Sequence, residues 1–522
     1  MSLRPTTGLT YATTAAAVSV LSAAMILPLS FTGGVATTPA ISHELGGTPL
    51  SLSWLTNGFM LTFGSALLAA GVAADLTGRK QIFLYGLGIF FFSCLLASLT
   101  SSPFIMGLMR AVQGIAAAMT LAGGSAMLAQ LYEGAARTRA FSILGTMFGA
   151  GLAFGPLLSG ILIEQSGWRA VYLLLALLAG LTALAGAVFL PYSVKTQAQK
   201  TDITGLFLFS SSLILFTVAM LLSPEKGFFS GVVLMFFFAS LLSARLFVIR
   251  CRRVEHPVFE LSLLRYPRFV GVLILPIATC YCYVVLLIIL PLRFTGGEAF
   301  SAIESALYLL ALTVPMLIIP TIAALLTGWF RPGSLAAVGL VVSSIGLLLL
   351  GYALQNNNHG LLIVSMSVTG AGAALPWGLM DGLAVSGVPA EKVGVAAGLF
   401  NTVRVAGESV ALVIVMAFLS TANQLNLSAT VTNYPADIIN QAAAWLGGGN
   451  IQQAATLLPD VSRQRLWESY NHAYTLLFTL LALITLLCAF LVWKTLNSDV
   501  TSFKGSNREK NAATACKEGN KR

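Results

Sequence analysis

About fourteen apolar runs, each close to the length of one bilayer crossing, fill almost the whole of this 522-residue chain. A helix rises 1.5 Å per residue, so ~20 apolar residues cross a hydrocarbon core ~30 Å thick. Within lipid every backbone N–H and C=O must find a partner in the protein, which leaves helix bundles and closed barrels. A barrel reads as ~10-residue segments of alternating polarity, and none is visible here. The expected fold is therefore an all-α polytopic membrane protein. The runs lie at 14–35, 52–73, 81–100, 104–129, 141–163, 169–190, 204–223, 228–248, 269–292, 302–327, 334–353, 361–385, 394–419 and 470–494. They are numbered as spans 1 to 14. Only 9% of residues are charged, against roughly 25% in soluble domains. Most connections are short. Room for an extramembrane element exists only at 420–468, which reads as a short amphipathic outer piece or as a loose loop.

The net charge of +10 has a topological reading that makes nucleic acid unnecessary. With the N-terminus inside, roughly 22 of the Lys and Arg residues fall on inner connections and tails and about 5 on outer ones, the asymmetry of the positive-inside rule. The inner set includes Arg79, Lys80, Arg137, Arg139, Arg250, Arg252, Arg253 and Lys392. The outer set is Arg169, Lys226, Arg293, Arg463 and Arg465. Both termini are expected in the cytoplasm of a cell whose inner or plasma membrane holds the chain. The N-terminal apolar stretch is too long for a signal peptide and reads as span 1. The polar, basic tail 498–522 reads as disordered. The six cysteines read as small core residues, and neither a disulfide framework, a metal site nor a cofactor is expected.

"GVAADLTGRK" after span 2 has a degraded echo, "LLTGWFRPG", after span 10. The echo suggests two six-helix halves, 1–192 and 269–497. Two linker helices and a basic loop at 193–268 lie between them, and the tail follows at 498–522. Proteins built from such repeats bind cargo between the halves near the midplane.

Charge that is costly in lipid lies within two spans: Arg110 in span 4, and Arg404 and Glu408 in span 13. A central charge costs roughly 2.5–3.5 kcal/mol even on an insertion scale. Arg404 and Glu408, four apart, share a helix face, and that face is expected to look inward. Arg404 would then offset the burial of Glu408. Glu408 reads either as a protonatable carrier or as a fixed partner of Arg404. Arg110 reads either as a cavity arginine or as a strut bonded to backbone carbonyls. Asp381 lies toward the inner end of span 12. Ser30, Trp54, Asn57, Gln113, Asn401 and Trp377 are candidate cavity liners.

Several motifs resemble those of the major facilitator superfamily. They are "GVAADLTGRK" (Gly71, Asp75, Gly78, Arg79, Lys80), "LMRAVQGIAAAM" (Arg110, Gln113, Gly114) and "GAGLAFGPLLSG" (Gly151, Gly155, Pro156, Gly160). "SWLTNGFML", "EHPVFELSLLRYPRF" and "GVAAGLFNTVRVAGESV" add to the resemblance. With the span count, the chain resembles the fourteen-span drug:proton antiporter family, of multidrug-efflux type. The resemblance implies a two-half fold with two inserted helices. The loop 71–80 would latch one state, and the glycines of span 5 would pack tightly enough to favour antiport. Glycines 71 and 78 also permit a tight turn on general grounds. The chain departs from the family in span 1. Ser30 stands where an acid is expected, and no Asp or Glu lies in the span. That departure and the central arginines fit an anionic or zwitterionic cargo better than a lipophilic cation.

The function expected is proton-coupled export of small amphipathic organic compounds by alternating access. A dedicated metabolite exporter, for example of a siderophore, is the alternative. A membrane-embedded transferase would need a clustered acid and histidine site, and His43, His256, His359 and His472 are scattered at span ends and loops. The expected partners are cargo, protons and the lipid bilayer, with no nucleic acid. A monomer is expected, with periplasmic accessory proteins as an open addition.

Overall fold

The computed structural model describes residues 11–192, 202–255, 257–356, 358–386, 388, 393–431 and 433–497. The expectations for the 498–522 tail and for Lys392 and His256 lie outside the described residues. Fourteen helices are long and apolar enough to cross a membrane, and no strand occurs among the described residues. The molecule is an all-α, multi-pass membrane protein.

Spans 1 to 6 are the helices Tyr11–Ala36, Pro49–Thr77, Arg79–Leu99, Pro103–Leu131, Gly134–Ser166 and Trp168–Phe189. Span 2 packs along span 4, span 3 on spans 4 and 6, and span 1 on span 5. Small residues bring these backbones together. A Cβ added at Gly114 would collide with the Thr62 hydroxyl and the Phe59 carbonyl, whereas one at Gly88 meets nothing within 4 Å. Gly114→Ala is expected to cost about 1–3 kcal/mol by overpacking. Gly88→Ala should be neutral or slightly stabilising, since alanine is the better helix former. Thermal unfolding of the two purified variants checks the contrast.

The turn between spans 2 and 3 is shorter than its motif suggested. Span 2 runs on to Thr77 and span 3 begins at Arg79, so Asp75 sits within a helix and the turn is Gly78 alone. Gly78 has φ +121°, a backbone state that a side chain disfavours. At the other end of the bundle a short helix, Thr38–Leu45, joins spans 1 and 2. Its Glu44 accepts from Arg169 Nη1 at 2.5 Å and from Trp168 Nε1 at 2.6 Å. These bonds, the arginine's first, hold the Glu44 carboxyl below the usual carboxylate range.

Spans 7 and 8, Ile203–Lys226 and Gly231–Arg253, form a hairpin on the outside of the bundle. Only 28% and 22% of their apolar stretches are buried. The hairpin packs on spans 2 and 13, where Ser210 Oγ donates to the Ser65 carbonyl at 2.6 Å. Asp202 caps span 7 and pairs with Arg250 of span 8 at 3.0 Å.

Span 9 is the most enclosed, with 83% of its apolar stretch buried. It runs Pro267–Gly297, and it is not a uniform helix. Two π segments, Cys280–Val284 and Arg293–Gly297, interrupt it. Pro276 and Pro291 lie within its α segments and lack the N–H that would bond the preceding turn. Widened i→i−5 bonds take over at Val285 to Cys280 and at Glu298 to Arg293, both 3.0 Å.

Spans 10 to 14 are Ala302–Leu326, Pro332–Gln355, His359–Ser386, Val393–Thr430 and Arg463–Asn497. The last two exceed the sequence runs by a wide margin. The segment 420–468 is therefore no single loop. Its first part continues span 13, its last part begins span 14, and helices Ala436–Gly447 and Ile451–Leu457 bridge them. Hydropathy misses these extensions because they are amphipathic, with Ser420, Asn423, Ser469 and Tyr470 facing inward and buried.

Candidate functional site

The buried charges converge where span 5 meets spans 12 and 13. Arg404 and Glu408 are each 2% exposed, so their shared helix face does turn inward. The partner of Arg404 is not Glu408. Its Nη1 reaches Asp381 of span 12, at 3.2 Å to Oδ1 and 3.5 Å to Oδ2, and its Nη2 donates to Asn401 Oδ1 at 2.9 Å. The expected Arg404–Glu408 pair is corrected to an Arg404–Asp381 pair. The reason is rotational: an i,i+4 neighbour lies along the helix, whereas Asp381 faces the guanidinium head-on from the adjacent helix. Asp381 itself is buried rather than at the inner water surface.

Span 5 closes this cluster from the other side. A Cβ at Gly145 would fall on the Asp381 carboxylate, and one at Gly149 would lie 3.2 Å from Trp377 Nε1. Trp377 donates to the Gly145 carbonyl at 3.3 Å, and the Phe148 ring lies 4.7 Å from the Arg404 guanidinium. Asp381, Trp377 and Arg404 from the last six spans thus all bear on span 5, from the first six. Farther along span 5, Gly151 and Gly155 pack on span 1 against Met25 and Thr32, and Gly160 packs on Ala302 and Ala306 of span 10. Pro156 sits in the same helix and is buried.

Glu408 lies one turn beyond Arg404. Among the described residues it has no hydrogen bond or ion pair. Its electrostatic neighbours are Arg404 and the Cys280 thiol. Cys280 opens the first π segment of span 9, in which the Tyr283 ring lies 6.0 Å from Trp377, tilted by 59°, and leaves its hydroxyl unbonded among the described residues. An interrupted helix beside a lone buried acid is a common mark of a functional position.

A cavity of about 410 Å³ leads to this cluster. Spans 2, 4, 5 and 13 wall it, with Val258 and Glu260 from the loop before span 9. Gly71, Asp75, Arg79 and Arg137 lie at its charged end. Gly398, Asn401 and Thr402 form the span 13 wall, and Asn401 is the residue that holds Arg404. Asp75 pairs with Arg79 at 3.4 Å, and Arg79 Nη1 also reaches the Ala126 carbonyl at 3.4 Å. Lys80, counted from sequence among the inner-connection charges, donates to the carbonyls of Ala187 and Leu190 at 2.8 and 2.6 Å, capping span 6.

These motif residues, in this order on fourteen helices, find their counterpart in known proteins. Residues 12–412 match the Major Facilitator Superfamily. The chain belongs to that superfamily. It is 26% identical to the tetracenomycin C resistance and export protein of Streptomyces glaucescens, over 74% of this chain and 72% of that protein. It is 24% identical to multidrug resistance protein Stp of Mycobacterium tuberculosis (strain ATCC 25618 / H37Rv), over 71% and 69%. A methylenomycin A resistance protein of Bacillus subtilis (strain 168) is 30% identical over 59% and 66%. Among solved structures, a bacterial homolog of the human lysosomal transporter Spinster, inward-facing and unoccupied, aligns with TM-score 0.62 at 12% identity over 94% of this chain and 98% of that one. The human organic anion transporter MFSD10 aligns with TM-score 0.58 at 15% identity over 94% and 100%. At such identities the structures establish a shared superfamily fold. The protein is a transporter of that superfamily.

The remaining sequence candidates form a second cluster inside spans 1, 2 and 4. Arg110 is 0% exposed. Its Nε donates to the Leu55 carbonyl at 3.2 Å, and its Nη1 to the Ser30 carbonyl, the Ser30 hydroxyl and Gln113 Oε1 at 3.3, 3.4 and 2.8 Å. Asn57 bonds the Ser53 carbonyl at 3.0 Å. Trp54 packs over Gly58 and Gly107. Of the six proposed liners, Asn401 borders the cavity, Trp377 joins the charge cluster, and Ser30 and Gln113 hold Arg110.

One buried charge escaped the sequence reading. Arg293, assigned to an outer connection, is 0% exposed in the second π segment of span 9. It pairs with Glu298 at 3.1 Å and Asn471 at 2.6 Å, and the Trp467, Tyr470 and Tyr474 rings surround it. Burial pushes the Glu298 carboxyl up, and Arg293 opposes that shift. The only sequence signal was the aromatic spacing at 467, 470 and 474, which marks one helix face.

Proposed function

We propose that this transporter exports small amphipathic organic compounds in exchange for protons, with Glu408 as the group that carries the proton. The observation that carries the reading is the solitary Glu408. Among the described residues it is a buried acid with no bonded partner, one turn behind the Asn401–Arg404–Asp381 cluster at the end of the cavity. A buried carboxylate with no donor is costly when ionised and tolerable when neutral. Its protonation state therefore couples to whether the cleft around it is open or closed. By the positive-inside rule the end of the bundle that carries Arg79, Lys80, Arg137 and Arg139 is the cytoplasmic one. The cavity is then the cytoplasmic entry, and both termini lie on that side. Cargo enters between spans 2 and 13. The first and last six spans rock about span 5, and Glu408 takes a proton from the far side and releases it to the cytoplasm. The relatives named for drug and antibiotic resistance support an exporter.

The test is cargo accumulation in everted membrane vesicles under an imposed pH gradient, acid inside. Tetracenomycin C and methylenomycin A, the compounds for which two relatives are named, open the panel. Accumulation that collapses on adding an uncoupler is expected. Accumulation indifferent to the gradient would refute proton coupling.

A further inference from the structure

Among the described residues three guanidiniums are fully enclosed, and two of them have a carboxylate. Arg293 has Glu298 at 3.1 Å and Arg404 has Asp381 at 3.2 Å. Arg110 has none. Every atom it bonds is a neutral oxygen: two backbone carbonyls, the Ser30 hydroxyl and the Gln113 amide. The face of Phe59 lies 4.7 Å from it. The titratable groups nearest to it are the Tyr172 phenol and the Cys94 thiol, neither of which is a carboxylate. Neutral dipoles lower the cost of a buried cation without cancelling its charge.

The hydrogen bonding is lopsided in the same direction. Arg110 spends Nε and Nη1 on stitching spans 1, 2 and 4 together, and Nη2 has no partner among the described residues. Gln113 turns its Oε1 to the guanidinium, and its Nε2 also has no partner. Two neighbouring side chains therefore each keep an unused donor, one of them cationic. A planar guanidinium with a free nitrogen beside an amide NH₂ matches two oxygens of an anion. Arg293 Nη1 and Arg404 Nε are also unbonded among the described residues, but those two guanidiniums each have a carboxylate, so Arg110 is the one that combines a free nitrogen with an unneutralised charge. Gly34 keeps the spot open, because a Cβ there would lie 2.6 Å from the guanidinium carbon. Span 1 also packs on the Leu286–Leu292 segment of span 9. The cluster thus sits one helix away from a contact between the first six and last six spans.

We propose that Arg110 and Gln113 form a subsite for the acidic group of the cargo, and that the cargo is an organic carboxylate. The carboxylate supplies the counter-charge that the chain itself withholds. This deepens the exporter reading and rests on it. In the structure as it stands the subsite is closed. Cargo reaches it when the contact between spans 1 and 9 parts.

The test reads binding rather than flux, so it fails separately from proton coupling. Purified full-length protein is melted in the presence of 1-naphthoate, its methyl ester, or 1-naphthylmethylammonium. Naphthoate is expected to raise the melting temperature, and the ester and the ammonium are not. Arg110→Gln should weaken half-saturation by naphthoate at least tenfold. Ser30→Asp should do the same by a different route, because the new carboxylate occupies the guanidinium. That variant keeps the buried cation paired, so it decides the matter if Arg110→Gln does not fold. Three results overturn the proposal: no naphthoate shift in the wild type, equal shifts with all three compounds, or an undiminished naphthoate shift in Ser30→Asp. A protein that binds naphthoate in this way but ignores the pH gradient would refute proton coupling alone.

Discussion

Glu408→Gln is expected to abolish gradient-driven accumulation in everted vesicles, with the rate falling by about 10²-fold, the usual scale when a positioned proton-transfer group is removed. Glutamine keeps the shape and the polarity of the side chain but cannot lose a proton. Cargo-for-cargo exchange across the same membrane, which needs no net proton movement, should survive in the variant. That pairing of results separates a carrier from a structural residue. A structural Glu408 would slow both modes together, since a misfolded cluster would impair every transit. Full gradient-driven flux in Glu408→Gln, with an unchanged dependence on pH, would end the carrier assignment. The structure sharpens this test because Glu408 holds no other residue in place. No donor leans on it, so its replacement strands nothing.

Arg404→Leu should have the opposite profile, a large loss of stability. Asp381 would be left as a buried carboxylate without its cation, and breaking a buried pair from one side costs about 3–5 kcal/mol. The Asn401 amide oxygen would lose its donor as well. Adding Asp381→Asn to the same chain removes the stranded charge and should recover most of that loss. Replacing both members of a buried pair is far less costly than removing one. Unfolding of the single and double variants in a denaturant titration checks the cycle. If the double variant is no more stable than Arg404→Leu alone, the Arg404–Asp381 bond is not what stabilises this region. The two experiments together distinguish the members of one cluster. The stability cycle tests Arg404 and Asp381 as the pair that holds the helices, and the transport pair tests Glu408 as the proposed proton carrier.

Much of this was legible along the chain. Run length and hydropathy decide how many helices cross a membrane, because the bilayer penalises anything shorter or more polar. Motif order pointed to the superfamily, and the inward turn of the Arg404 face followed from the cost of charge in lipid. The errors have one physical origin. Helical spacing reports neighbours on the same helix, but it is silent on which face of another helix comes opposite. Arg404 was therefore paired with Glu408, four residues away, when its partner is 23 residues back in span 12. Arg293 passed for a surface charge because its aromatic box is assembled from span 14, more than 170 residues on. The bonds of Lys80 were invisible along the chain because the carbonyls it caps belong to span 6. The extensions of spans 13 and 14 beyond the bilayer were unreadable for a related reason, since their polar residues are buried against one another.

By itself the sequence determined the class of the molecule. It is a fourteen-span membrane protein with its Lys and Arg residues biased toward the connections of one side, and a few ionisable groups are forced inward because lipid will not accept them. Only the tertiary structure decided how those groups divide. Arg404 meets an acid brought in from span 12, Arg293 meets Glu298 five residues on inside a box of span 14 aromatic rings, and Arg110 meets no carboxylate. Glu408 is left without a partner beside a broken stretch of span 9. The division depends on the rotation and register of helices against one another. Those are set by the small residues of span 5, the prolines of span 9 and the packing of whole surfaces, none of which any local stretch of sequence encodes.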